Sequence, residues 1–372
     1  MANNSSLGAA KSAKNDEFYT QYSDIEAEMN AYVEFNPDVF RDKTILLPCD
    51  DPEWSNFTRY FAANFERFGL KKLISTSYAR GAGNKQLTLF EMDSPLFDES
   101  KHDEHGKLFT LTRDMTGNGH IDGDDIEFNG YLEGDGDFRS AEVTALRDEA
   151  DIIITNPPFS LFREFLAWIM AGGKQFVIIG NQNAITYKET FQLLRAVQMW
   201  LGTTHPKMFM IPDDVEGKNV IEVDGVRYQT FGNVCWFANL DHGERHKPLT
   251  LMTMAQNLKF NKKLRKKLDS LGVTDYPKYD NYNVIEVPFV ECIPSDYEGL
   301  MGVPVTFVDK YNPEQFEIVM MANGNARTNT EPAVLSDVSY VPTSGDKGGL
   351  GLVNGKLVYG RIVIRHKKEV DA

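Results

Sequence analysis

Asp151-Ile-Ile-Ile-Thr-Asn-Pro-Pro-Phe159 is the stretch that decides how this chain folds and where its chemistry lies. A short run of β-branched residues, bounded by a charged residue and a Pro-Pro pair, reads as a fully buried strand that stops at Thr155. Ser160 is a candidate cap for a helix that ends at Gly172-Gly173, and Gln175 to Gly180 is a second apolar strand. Upstream the pattern is the same. A helix is predicted from Asp24 to Phe35, with Ile25, Met29, Tyr32 and Val33 near helical spacing. Thr44 to Pro48 reads as a buried strand. Ser55 to Phe68 is an amphipathic helix with Phe57, Tyr60, Phe61, Phe65 and Phe68 on one face, stopped at Gly69. Leu70 to Tyr78 is the next strand, and Ser140 to Glu149 another helix. Strands alternating with helices imply an α/β fold with a parallel sheet covered on both faces.

Composition bounds the rest. With 372 residues, 42% of them hydrophobic, the chain can bury a full α/β core and an added smaller region. Met1 to Lys14 is small and polar, unlike a signal peptide, and the apolar runs are too short to cross a bilayer. Three widely spaced cysteines (Cys49, Cys235, Cys292) fit a reduced, cytoplasmic protein without a cysteine-based metal site. The net charge of −15 is concentrated. Glu91 to Asp151 holds 18 acidic and 5 basic residues, while the other 311 residues carry 36 acidic and 34 basic. Bulk charge therefore neither supports nor excludes a nucleic-acid partner.

Two regions follow from this reading: residues 1–200 as the catalytic domain, with an acidic insertion at about 79–133, and 201–372 as a mixed α/β region. Residues 323 to 356, rich in Gly, Asn, Thr and Ser, read as a loop or insertion before a last strand, Leu357 to Ile364.

Asn156-Pro157-Pro158-Phe159 sits at the carboxyl end of a central strand, where open α/β sheets hold their ligands. An aromatic amine is a poor nucleophile because its lone pair is delocalised into the ring. An Asn side-chain oxygen and a backbone carbonyl can accept its two N–H groups and draw the nitrogen toward tetrahedral geometry, freeing the lone pair for attack on a sulfonium methyl group. The prolines stiffen such a loop, and the aromatic at its fourth position can stack on a flat base. A Pro-Pro turn that merely ends a strand is the plain alternative. Asn15-Asp-Glu-Phe-Tyr-Thr-Gln21 and Gly134-Asp-Gly-Asp-Phe138 add weaker signals; an acid followed by an aromatic suits an adenine ring, and a tight turn explains the glycines equally well.

Together these segments resemble the EcoRI-type adenine-N6 DNA modification methyltransferases. Matching stretches include Lys14 to Gln21, Cys49-Asp-Asp-Pro52 with Ser55-Asn-Phe57, Leu70 to Ile74, Gly134 to Ser140 and Thr155 to Phe162. Further on, Ile185 to Glu189, Tyr276 to Tyr282, Gly302-Val-Pro304 and Asn312 to Phe316 match, and the likeness returns at Arg361 to Arg365. The resemblance implies a Rossmann-like class I methyltransferase domain, a smaller target-recognition region toward the C-terminus, S-adenosylmethionine as methyl donor and a flipped adenine in double-stranded DNA as acceptor. It assigns Phe18, Tyr19 and Thr20 to the wall of the donor pocket, Asp137 and Phe138 to the donor's adenine, and Asn156 to Phe159 to the target adenine. A monomer, with any cognate restriction endonuclease acting separately, fits this family.

One place departs from most methyltransferases. The usual glycine-rich loop after the first strand is replaced by Cys49-Asp50-Asp51-Pro52-Glu53, and the second strand ends in Ser75-Thr76-Ser77-Tyr78 without the usual acid. A variant pocket served by Cys49, Asp50 or Asp51 and Thr76 is expected. Outside the pocket, Leu258 to Leu268 packs Lys259, Lys262, Lys263, Arg265, Lys266 and Lys267 into eleven positions. This is either a solvated helix or a phosphate contact. Trp236 suits either a flipped-base contact or core packing. Asp114 to Asp125 resembles a calcium loop, with Asp114, Asn118, Asp122 and Asp125 as oxygen donors and Gly119 at its turn; an acidic hairpin fits the same residues. Methylation of RNA or protein glutamine, and an inactive DNA-binding relative, are the competing functions.

Overall fold

The computed structural model describes residues 19–48, 50–52, 55–79, 94–211, 219–322 and 349–367. Phe18 and Cys49, two of the expected donor contacts, lie outside the described residues, as do residues 323–348 of the expected insertion.

The chain divides into two compact units, Met1–Gln182 with Leu201–His242 and Asn183–Trp200 with Gly243–Ala372. This division differs from a single boundary near residue 200. Residues after Leu201 rejoin the first unit because one of their strands adds to its sheet.

That sheet has eight strands among the described residues: β2 (Thr44–Leu47), β3 (Lys72–Thr76), β4 (Lys107–Leu111), β5 (Glu127–Tyr131), β6 (Ile152–Thr155), β7 (Gln175–Asn181), β8 (Trp200–Leu201) and β12 (Val234–Ala238), in the order β5-β4-β3-β2-β6-β7-β12-β8. The central four pair in parallel. Their residues are almost all buried, as strands covered on both faces must be. β4 extends the sheet antiparallel to β3, β5 pairs with β4, and β12 lies antiparallel to β7. The acidic insertion thus contributes a hairpin, β4 and β5, to the edge of this sheet. The sheet is mixed where a parallel one was expected.

The helices of this unit are α1 (Tyr22–Phe35), α2 (Asn56–Ala63), α3 (Phe65–Phe68), α4 (Ala141–Glu149) and α5 (Phe162–Ala171). Ser55 caps α2, its Oγ accepting from the amides of Phe57 and Thr58 at 3.1 and 3.4 Å. Phe57, Tyr60 and Phe61 are buried in the core with Ile25, Met29 and Ile45. Each such aromatic contributes about 1.5–3 kcal/mol by leaving water. The expected single helix from Ser55 to Phe68 breaks at Asn64, whose backbone leaves the helical region at φ −111° and ψ 12° while its side-chain amide donates to Tyr60 O at 2.9 Å. Gly69, at φ +62°, ends α3 as foreseen. Ser160 does not cap α5. It lies inside a 3₁₀ turn, Phe159–Leu161, and Leu161 takes the cap position without a side-chain bond.

A second, small sheet in this unit joins β1 (Tyr19–Thr20), β9 (Met208–Met210), β10 (Val220–Val223) and β11 (Val226–Thr230) in the order β1-β9-β11-β10.

The other unit holds β13 (Val284–Glu286), β14 (Leu300–Pro304), β15 (Phe316–Ala322) and β18 (Arg361–His366) in the order β13-β14-β18-β15, with a hairpin of β16 (Gly351–Val353) and β17 (Lys356–Val358). Tyr279, Tyr282, Val284, Val319 and Val363 form its core. The expected strand Leu357 to Ile364 is two strands, interrupted by a turn at Gly360, which has φ +64°. Helices α6 (Lys188–Arg195), α7 (Met254–Phe260) and α8 (Lys262–Leu271) complete this unit.

Candidate active site

Strand order fixes the crevice. β2 leads through α2 to β3 on one side, whereas β6 leads through α5 to β7 on the other. The chain leaves the carboxyl ends of two neighbouring parallel strands in opposite directions, and that switch point is where such sheets bind ligands. Asp50 follows β2 there, and Asn156 follows β6.

Asp50 is held from three elements, β3, β6 and α2 with its cap. Its amide donates to Thr76 O at 2.7 Å, at the end of β3. Its carbonyl accepts from Ser75 Oγ and from Thr58 Oγ1, the latter at 3.1 Å. One carboxylate oxygen accepts from Ser55 Oγ at 2.7 Å, and the other from Thr155 Oγ1 at 2.6 Å. The residue is only 8% exposed. Burial raises its carboxyl to about 7 despite the bonds from Thr155 and Ser55, which favour the ionised form. A carboxylate held so near neutrality in a crevice is suited to meet a cation.

Next to it, Asn156 is partly buried, with its side-chain oxygen shielded from solvent, and Pro157 is buried. Leu161 N donates to Pro158 O at 2.9 Å and closes the loop into a turn. Phe159 meets Phe231 edge-on at 5.8 Å and Phe209 at 6.5 Å between ring centres. Phe209 comes from β9, which pairs with the N-terminal segment: Thr20 lies opposite Phe209 and Tyr19 opposite Met210. Asn56 Nδ2 donates to Thr20 O at 2.8 Å, tying β1 to the start of α2. The segments around Tyr19, Asp50 and Asn156 thus meet, although they lie far apart in sequence.

The glycine-containing loop closes on the end of β3. Ala79 N donates to Asp135 O at 2.8 Å. Gly136 has φ +86° and lies so close to Ser77 O that any side chain would collide with it. Asp137 accepts from Arg139 Nη2 at 2.5 Å, and Arg139 reaches Glu164 at 2.8 Å. Arg139 holds the Asp137 carboxyl below its ordinary range. Phe138 is 3% exposed, packed against Phe165 and Trp168 at 4.9 and 5.6 Å.

The remaining expectations separate. Trp236 is a correction: it is 0% exposed, its Nε1 donates to Thr204 Oγ1 at 2.9 Å, and its ring lies against Phe57, so it belongs to the core. Lys259, Lys262, Lys263, Arg265, Lys266 and Lys267 are all exposed on α7 and α8 in the second unit, where Leu264 and Leu268 are buried. In the acidic hairpin, Asp114 accepts from the amides of Gly117 and Gly119, and Asp125 from those of Met115, Thr116 and Asp122. Asn118 and Asp122 bond the amides of His120 and Asp124. These oxygens brace turns. Among the described residues no group of three or more His, Cys, Asp or Glu is placed to hold a metal ion.

Sequence reading missed Thr155, Ser55, Phe209 and Phe231. Thr155 carried a usable signal, as the one hydroxyl ending an Ile-Ile-Ile strand. Phe209 and Phe231 carried none, because only pairing of β9 with β1 and with β11 gathers them.

The model of a family described as adenine-specific methyltransferase EcoRI matches residues 6–367. Type II methyltransferase M.EcoRI of Escherichia coli is 39% identical over 374 residues, covering 99% of this chain and 98% of the relative. Type II methyltransferase M.MpnI of Mycoplasma pneumoniae is 33% identical, covering 97% of this chain and 98% of the relative. Type II methyltransferase M.MgeORF184P of Mycoplasma genitalium is also 33% identical, over 96% of this chain and 98% of the relative. No solved structure matches the chain with significance.

Proposed function

The chain belongs to the EcoRI family of adenine-specific methyltransferases, and we propose that it transfers a methyl group from S-adenosylmethionine to the N6 amino group of adenine in double-stranded DNA. Its fold is that of a class I methyltransferase, and its Type II relatives extend a restriction–modification role to it. The observation that carries the reading is the placement of Asn156-Pro157-Pro158-Phe159 at the switch point, beside a buried Asp50.

The residues fit the donor. Asp50, poised near neutrality, suits the cationic amino and sulfonium groups of S-adenosylmethionine, which would hold it ionised. Tyr19, Thr20, Asp51 and Thr76 are assigned to the same donor site. Asp137 keeps lone pairs beyond those Arg139 uses, so Asp137 and Phe138 are assigned to the donor's adenine. When bound, S-adenosylmethionine supplies an electrophilic methyl group. Asn156 and a backbone carbonyl of its loop accept the two N6 hydrogens, and this frees the nitrogen lone pair. As the N–C bond forms and the methyl–sulfur bond breaks to leave a neutral thioether, positive charge grows on that nitrogen. Both acceptors hold its hydrogens more strongly, and one hydrogen then leaves to solvent as a proton. Phe159 presents a ring against which the flipped base stacks.

The exposed cations of α7 and α8 are assigned to DNA phosphates, and the unit of Asn183–Trp200 with Gly243–Ala372 to target recognition. Among the described residues no helix is long and apolar enough to cross a membrane. A monomer in the cytoplasm, with a separate endonuclease as its partner in function, completes the reading.

Tritium-labelled donor tests it. Label should enter duplex DNA as 6-methyladenine after digestion to nucleosides. Label entering RNA or a glutamine side chain instead would overturn the assignment.

A further inference from the structure

We propose that Thr155 is a positioning residue, whose hydroxyl clasps the diverging ends of β2 and β6 and couples the Asp50 carboxylate to the loop that begins at Asn156. The proposal rests on the reading of Asp50 as a contact of the methyl donor.

The strand register carries the argument. β2 and β6 pair through Ile45 with Ile152 and Leu46 with Ile153, and there the ladder stops. Two residues further along, Thr155 Oγ1 takes over from the backbone, lying 3.0 Å from Pro48 O and 2.6 Å from Asp50 Oδ2. Thr155 is buried and ends a strand that is otherwise isoleucine. Valine would fill the same space without the cost of burying a hydroxyl, so the hydroxyl is placed there for its bonds.

Those bonds cannot all be made at once. Thr155 has one hydroxyl hydrogen, and both neighbours are acceptors when Asp50 is ionised. The hydrogen then goes to the carboxylate, the stronger acceptor, and the tie to Pro48 O weakens. When Asp50 is protonated, its own hydrogen goes to Thr155 Oγ1, and Thr155 donates to Pro48 O, so every group is satisfied. The charge state of Asp50 thereby selects the partner of the residue that precedes Asn156. The other groups acting on Asp50 are the Ser55 hydroxyl, which favours its ionised form, and the Asp51 carboxylate, which opposes it. A cationic donor that ionises Asp50 draws the Thr155 hydroxyl toward itself and adjusts the end of β6 as the site fills.

The test compares wild type with Thr155→Val, Thr155→Ser and Asp50→Asn, all checked for folding by thermal melting. Calorimetric binding of S-adenosylmethionine is followed between about pH 5.5 and 8.5, across the proton release of Asp50. Thr155→Val should weaken donor affinity roughly tenfold at neutral pH, the effect of losing a bond to a charged group. It should also move the acid limb of binding upward by about one pH unit, since the ionised carboxylate loses a donor. Thr155→Ser, which keeps the hydroxyl, should restore both. A wild-type limb in Thr155→Val overturns the proposal even if turnover falls, because a merely structural role alters melting and rate without moving that limb. A limb shifted equally in Thr155→Ser overturns it as well. If Asp50→Asn binds the donor as wild type does, the assignment of Asp50 to the donor fails. If Asp50→Asn is impaired while Thr155→Val is not, only the role of Thr155 fails.

Discussion

The carboxylate of Asp137 lies 2.5 Å from the guanidinium of Arg139, which also reaches Glu164 on α5. Two acids assigned to the donor thus sit in opposite surroundings. The bond from Arg139 lowers the Asp137 carboxyl, whereas burial raises that of Asp50. Both partners of the first pair are partly exposed, so its worth to stability is small, about 0–1 kcal/mol. Arg139→Gln should leave thermal stability almost unchanged and weaken donor binding several-fold, by freeing the Asp137 loop from α5. Calorimetry at one neutral pH checks this; unchanged affinity would detach the loop from the donor site.

Asp50 makes the donor-free protein sensitive to pH. Its folded-state carboxyl is raised from the ordinary 3.8 to about 7, so the folded chain holds a proton that the unfolded chain releases. The resulting stabilisation is full below the unfolded value and is lost as pH rises through about 7. Melting of the wild type at pH 5 and pH 8 should reveal a loss toward pH 8, and Asp50→Asn should reduce the difference. An identical slope in the variant would mean that Asp50 is already ionised in the free protein.

The target base should leave the duplex, because its N6 lies inside the stack while the loop at Asn156 needs access to its edge and face. DNA with 2-aminopurine at the target position should brighten on binding. Constant fluorescence in a confirmed complex would speak against extrusion.

Replacing Lys262, Lys263, Lys266 and Lys267 with Gln should weaken all duplexes alike and flatten the dependence of affinity on salt, by roughly 0.9 in log–log slope for each true phosphate contact. Lys263 also pairs with Glu291 at 3.0 Å, so its own share should be the smallest. An unchanged slope would reduce α8 to a solvated helix.

The parallel strands and the position of Asn156 were legible because both follow from local pattern: β-branched runs for buried strands, prolines for a stiff exit. What escaped depends on pairing over long distances. Within the acidic stretch a hairpin was legible, but not the extent of β5, whose alternating polar residues suit the sheet edge and equally suit a loop. Trp236 sits in a strand-like run that neither meaning of the residue could decide; β12 turned out to lie between β7 and β8, and that buries it. The split of the helix after Ser55 lies in the backbone of Asn64, at φ −111° and ψ 12°, which no hydrophobic periodicity records. In the site, Asp50 and Asn156 were named from sequence, whereas the hydroxyls that hold Asp50 became visible only once β2, β3, β6 and α2 were brought together.

Single-turnover methyl transfer by Asn156→Ala tests the central claim most directly. A well-aimed acceptor in a shielded site contributes about 10²–10³ in rate. The variant, with target DNA and saturating labelled donor, should transfer methyl groups slower by at least that lower factor, while its donor affinity stays within a few-fold of wild type. Transfer at the wild-type rate would contradict the assignment of Asn156 as the residue that activates the adenine amine.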